Sequence, residues 1–138
     1  MLKSAIMQPT FFPWVGYFDL IDEVEIFIFL DNVQFDYRSW QHKNKIIDTS
    51  GKELMLTVPI KNGNKKQLLK DVLISKESNF IDKYLKSIFF NYKKKKYFDE
   101  IFPKIKNIFE KKHDLLVDLN YELINFFCNY LNIYSKFI

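Results

Sequence analysis

The chain has 138 residues, 48% hydrophobic and 28% charged, with a net charge of +4 at pH 7. That is one domain with enough apolar material for a core, which excludes a disordered chain. No apolar run approaches the ~20 residues of a membrane span, and Pro9 and Pro13 break the stretch a signal peptide would need unbroken.

Ser4–Gln8 reads as a short apolar strand ending at Pro9. Trp14–Asp22 has a helical pattern, with Val15, Phe18 and Ile21 on one face. Glu25–Leu30 (EIFIFL) has the β-branched and aromatic content of a buried strand, closed by the turn signal Asp31–Asn32. Strand, helix and strand in so short a stretch imply a βαβ unit with a parallel pair.

Lys43–Ile47 and Glu53–Pro59 flank a polar turn with Gly51 and read as a hairpin. A lysine-rich loop, Lys61–Gln67 with Gly63, then leads to an expected strand over Leu68–Ser75. The last third is helical. Asn79 is the expected N-cap, with Asp82 three residues on, ahead of an apolar face of Ile81, Tyr84, Leu85, Ile88 and Tyr92. Phe98, Ile101, Phe102, Ile105, Ile108 and Phe109 form a second stripe, which Pro103 should kink or begin. Leu115–Leu131 is apolar nearly all round, apart from a stripe of Asp118, Glu122, Asn125 and Asn129. Asn132 should end that helix, and Ile133–Ile138 looks like one more strand.

The single arginine, Arg38, stands against twenty lysines. It lies in the most idiosyncratic stretch, Met7–Asn44, which holds both tryptophans, Trp14 and Trp40. In a composition that uses Lys for plain positive charge, the remaining Arg points to a need for its planar, bidentate fork. The run Lys93–Lys96 reads as a solvated turn. Arginine and interleaved aromatics are missing from it, which argues against nucleic acid and leaves an anionic lipid or a pyrophosphate as better partners. No Gly-rich phosphate loop, metal-ligand spacing or cofactor motif is present. The lone Cys128 excludes an intramolecular disulfide and, in an apolar helix, reads as a structural thiol of a cytoplasmic protein. His113 beside Asp114 reads as a cap or surface residue.

MQPTFFPWVGYFDLI, LDNVQFDYRSWQHKNKI and ELMLTVPI, in this order, resemble the WbqC-like protein family of bacteria. The match falls on Gln8, Pro9, Pro13, Gly16, Tyr17, Asp31, Val33, Gln34, Phe35, Arg38, Trp40, Asn44, Ile46 and the strand Leu56, Thr57, Val58, Pro59. Where the family carries paired acids this chain has Asp31–Asn32, and where it carries Asn-Arg-Asn-Arg this chain has His42–Lys43–Asn44–Lys45. Pro13–Ile21 is also similar in shape to the nucleotidylyltransferase motif, without either of its histidines. The family's genes accompany those for O-antigen and other surface polysaccharides, and the resemblance transfers no particular reaction. Family members are longer, so residues 1–138 are expected to be a single domain truncated at its C-terminus, split, or completed by a partner.

The expected architecture is α/β: a Rossmann-like N-terminal βαβ unit, an inserted hairpin and a C-terminal helical layer. The expected function is a step of surface-polysaccharide biosynthesis, as a transferase of N-acyl type on a nucleotide-linked or lipid-linked sugar. Its rivals are a non-catalytic binding partner and an inactive fragment. Asp31, His42 and Tyr17 are the candidate catalytic groups, since a carboxylate, an imidazole and a phenol can orient a hydroxyl or move its proton. Gln8, Thr10, Gln34, Arg38, Trp40 and Asn44 are the candidate substrate-binding residues. Arg38 would grip an anionic group, and Trp40 would stack on a sugar or base. The competing structural reading is an Asp31–Arg38 ion pair with Trp40 as core.

Overall fold

The computed structural model describes residues 1–61 and 66–138. The expected βαβ unit is present. Strand β1 (Ser4–Met7) and strand β2 (Ile26–Phe29) flank helix α1 (Val15–Asp22), and they pair in parallel from Ser4↔Ile26 to Met7↔Phe29. Strand β3 (Lys43–Ile47) and strand β4 (Glu53–Thr57) form the antiparallel hairpin, with Lys43 opposite Thr57. Helices α2 (Phe80–Tyr92), α3 (Phe98–Glu110) and α4 (Leu116–Tyr130) follow. Strand β5 (Lys136–Phe137) then joins β2 in parallel, giving a three-stranded sheet in the order β1-β2-β5. The molecule is thus mixed α/β, as expected.

The hairpin turn shows why its sequence specifies it. Asp48 Oδ1 accepts from the backbone N–H groups of Ser50 and Lys52, both at 2.8 Å. Gly51 takes φ 83°, which a side chain would disfavour. Helix α4 ends as cleanly. Asn132 adopts φ 59°, Asn132 N donates to Asn129 O, and Ile133 N donates to Cys128 O at 2.9 Å, together a Schellman cap.

Five expectations are corrected. Val15 is exposed; the buried face of α1 is Tyr17, Phe18 and Ile21. Leu68–Ser75 is not a strand. Its buried Leu69 and Val72 stand three apart, a turn's spacing, and Leu69–Asp71 is a 3-10 turn. Only single bridges attach its flanks, Gln34↔Leu68, Ile60↔Ile74 and Leu73↔Leu115. Of Ile133–Ile138 only Lys136–Phe137 is strand, because Ile133 closes the α4 cap and Ser135 Oγ reaches the Ile21 and Val24 carbonyls. Pro103 lies in the second turn of α3 and not its first, and the carbonyl it deprives of a partner is that of exposed Asp99. Asn79 holds the N-cap position, but its amide donates to Asp82 Oδ2 at 2.6 Å instead of capping the helix. The loop expected around Gly63 lies outside the described residues.

Two cores result. The larger gathers Phe11, Phe35, Leu56 and Val58 against α2, α3 and the first half of α4. The smaller packs Tyr17, Phe18, Ile21 and Phe27 against Ile124, Cys128 and Ile133. Helix α4 contributes to both, with its first turns in one and its last in the other. Burial pushes the Cys128 thiol up to about 11, as befits a packing residue. No helix among the described residues is long and apolar enough to cross a membrane.

Candidate functional site

Past β1 the chain turns sharply, and two side chains and one backbone bond fix the turn. Phe12 has φ 46°, a conformation that costs a bulky residue about 1 kcal/mol. Asn44, on β3, compensates: its Nδ2 donates to the carbonyls of Phe12 (2.6 Å) and Phe11 (3.3 Å). Phe11 N donates to Trp40 O at 3.2 Å, which ties the turn to the segment before β3. From α4, the fully buried Asn120 donates through Nδ2 to the carbonyls of Pro9 (3.2 Å) and Gln41 (2.8 Å).

These ties assemble a pocket of about 380 Å3 at the carboxyl ends of β1 and β2. Gln8, Thr10, Trp14, Ser39, Trp40 and Gln41 supply its chemistry. Gln41, 1% exposed, donates to Gln8 Oε1 at 2.7 Å and accepts from Asp36 N at 3.0 Å. That leaves the Gln8 amide NH2 as a donor with no partner among the described residues. The Thr10 hydroxyl has no partner there either. Trp14 and Trp40 remain 53% and 44% exposed, so neither is core. Gly16 makes room for the first of them, since a Cβ there would stand 2.7 Å from the Trp14 indole nitrogen.

The candidate residues divide. Gln8, Thr10 and Trp40 line the pocket; Asp31, Gln34, Arg38, Asn44, His42 and Tyr17 do not. Asp31 follows Leu30, a pocket residue, and its Oδ2 accepts from the Tyr121 hydroxyl at 2.7 Å. Burial, and then this carboxylate, raise the Tyr121 phenol far above its usual range. Asp31 is therefore tied to α4 and makes no ion pair with Arg38. The Arg38 guanidinium is exposed and has no carboxylate partner among the described residues. Its backbone N–H donates to Asp36 Oδ1 at 2.8 Å in a local turn. Gln34 is exposed and bridges to Leu68. Tyr17 is fully buried and its hydroxyl donates to Gln8 O at 3.0 Å, so it steadies the strand end that carries Gln8. Burial drives its phenol well above the ordinary range.

His42 is 6% exposed and packs edge-on against Phe35, with ring centroids 5.2 Å apart. Burial, then Lys43, lower its pKa, against a weaker pull from Asp36. The folded protein thus holds a neutral imidazole that the unfolded chain protonates below ~6.5. Protons favour the unfolded state, so stability should fall as pH drops from about 6.5 towards the depressed folded value, and level off below it. Thermal unfolding across that range should show the slope, and His42→Phe should flatten it; an unchanged slope would refute the assignment.

Sequence reasoning passed over Gln41, Asn120 and Tyr121. The signal for Asn120 was available: an amide off the polar stripe of α4, between Leu119 and Leu123. A larger cavity of about 740 Å3, between the start of α2 and the end of α3, contains none of the candidate residues. His113 borders it, with Nε2 2.6 Å from Glu122 Oε2. Among the described residues no cluster of His, Cys, Asp or Glu suits a metal ion.

Comparison with known proteins agrees with the motifs. The chain is 35% identical over 138 residues to the uncharacterized protein Rv1507c of Mycobacterium tuberculosis (strain ATCC 25618 / H37Rv), covering 99% of this chain and 59% of that relative. It therefore spans under two thirds of that relative's length. No solved structure matches it. The model of the WbqC-like protein family matches residues 8–138, and the chain belongs to that family.

Proposed function

We propose that the pocket binds a sugar, and that the chain serves bacterial surface-polysaccharide biosynthesis of the O-antigen or lipopolysaccharide type. In this reading it is a transferase, of N-acyl type, acting on a nucleotide-linked or lipid-linked sugar. The observation that carries the reading is the pairing of two exposed indoles with a Gln8–Gln41 amide couple in one pocket. Indole faces cover the apolar faces of a sugar ring, while amides and the Thr10 hydroxyl match its hydroxyls. The βαβ unit acts as the Rossmann-like element, whose carboxyl edge is where such sheets take ligands. Arg38 grips the phosphate, Asp31 accepts from a hydroxyl or amine, and Tyr17 and Asn44 act by holding the walls.

Both tryptophans of the chain line this pocket, so intrinsic fluorescence reports its occupancy directly. Titration with UDP- and dTDP-linked amino sugars should give a saturable change and raise the melting temperature. No saturable response to any nucleotide-linked sugar would sink the proposal.

A second reading, a binding subunit completed by a protein partner, is favoured by one observation. Strand β5 pairs on one side only among the described residues, which leaves the sheet an edge to extend.

A further inference from the structure

A groove of about 490 Å3 runs between the hairpin and helices α2 and α3. Ile46, Ile88, Ile101, Phe102 and Phe127 give it apolar walls. Lys45, Lys95 and Lys96 also line it, and no Asp or Glu does. Lys45 is held by Glu53 at 2.5 Å. Lys96 lies 4.9 Å from the centroid of the Tyr97 ring, and Lys95 has no ion-pair partner among the described residues. The charge at the groove is thus one-sided, with two ammonium groups free of carboxylates.

Two contacts join this groove to the tryptophan pocket. Phe12, a groove residue, belongs to the strained turn that carries Thr10. Lys45 reaches from the groove to 6.0 Å from the centroid of the Trp40 ring. A ligand in the groove therefore lies against Phe12, in the turn that carries Thr10, and against Lys45, which sits over the Trp40 indole of the pocket.

We infer that the groove receives the hydrocarbon chain of an anionic amphiphile, with its phosphate-bearing head held by Lys95 and Lys96. The apolar walls select a chain, and the unpaired ammonium groups select a negative head. A protein segment would need carboxylates placed to meet both lysines; a lipid phosphate supplies the charge at the end of a chain. The inference rests on the sugar-transfer reading only for the pairing of the two sites. It gives that transfer its second component, a chain-bearing partner.

The test is calorimetric titration of the whole chain with dodecyl phosphate below its micelle concentration, beside dodecyl maltoside and inorganic phosphate. Dodecyl phosphate should bind saturably with one-to-one stoichiometry, at least tenfold tighter than the neutral detergent, and inorganic phosphate should not bind. The double variant K95E/K96E should lose roughly tenfold or more, since each lysine near an anionic head is worth about a factor of five. Ile101→Trp, which fills the groove, should also lose binding. If that half-buried site disturbs folding, the exposed lysine pair still decides. Absence of saturable binding overturns the inference, as does an affinity unchanged in K95E/K96E. Equal affinity for the maltoside overturns it too, and identifies an apolar face for a protein segment. The fluorescence titration with nucleotide-linked sugars is read separately, so either site can fail without the other.

Discussion

Asn120→Ala should lower the free energy of unfolding by about 2–4 kcal/mol and abolish ligand binding in the tryptophan pocket. The amide is fully buried, and its Nδ2 is the donor shared by the carbonyls of Pro9 and Gln41. Alanine leaves both carbonyls in the interior facing nothing, at roughly 1–3 kcal/mol each, and adds a small cavity. Asn120→Asp should be at least as damaging, because an ionised carboxylate accepts only and would stand against two carbonyls. Urea denaturation measures the loss. A change under 1 kcal/mol would show that the two segments hold together without the amide. The functional loss follows from the same geometry, since Gln8 and Gln41 lie on the two segments that Asn120 joins.

Arg38→Lys should weaken binding of a nucleotide-linked sugar at least tenfold and leave the melting temperature of the free chain unchanged. The side chain is exposed and pairs with no carboxylate among the described residues, so the fold makes no visible use of it. Its turn is held by backbone and neighbours instead: Arg38 N and Ser39 Oγ both donate to Asp36. Lysine keeps the charge and removes the planar fork, so the comparison isolates bidentate recognition. Equal dissociation constants for the two proteins would remove Arg38 from the site. A fall in melting temperature would assign it a structural role.

The parts of this chain that a sequence reveals are those set by local chemistry. The hairpin was legible because Asp48 and Gly51 specify its turn by themselves. The βαβ unit was legible from EIFIFL and the short helix before it, and the α4 terminus from Asn132. Leu68–Ser75 was misread because its apolar residues answer to three different neighbours, at Gln34, Ile60 and Leu115, and not to one strand. The candidate pocket was half legible. Gln8, Thr10 and Trp40 could be named from their place after strands and beside aromatics. Proximity in sequence does not say where His42 and Asn44 point. One turns into the Phe35 cluster and the other spends its amide on the Phe11–Phe12 turn, and only packing decides such directions. The competing reading paired Asp31 with Arg38, seven residues on, whereas its partner Tyr121 lies 90 residues away.

The same remoteness governs when the pocket comes into being. Asn120 bonds to groups 111 and 79 residues earlier in the chain. The two walls can therefore be synthesised, and the hairpin that follows them folded, well before the donor that joins them leaves the ribosome. Contacts of such sequence separation close late, because the loop entropy they must overcome is larger than that of a local turn. A nascent chain halted before α4 would carry both indoles and both glutamines and still have no site. Binding competence is thus a test of completed synthesis through residue 120, and a fluorescent ligand added to stalled chains of increasing length should light up in one step as that residue emerges.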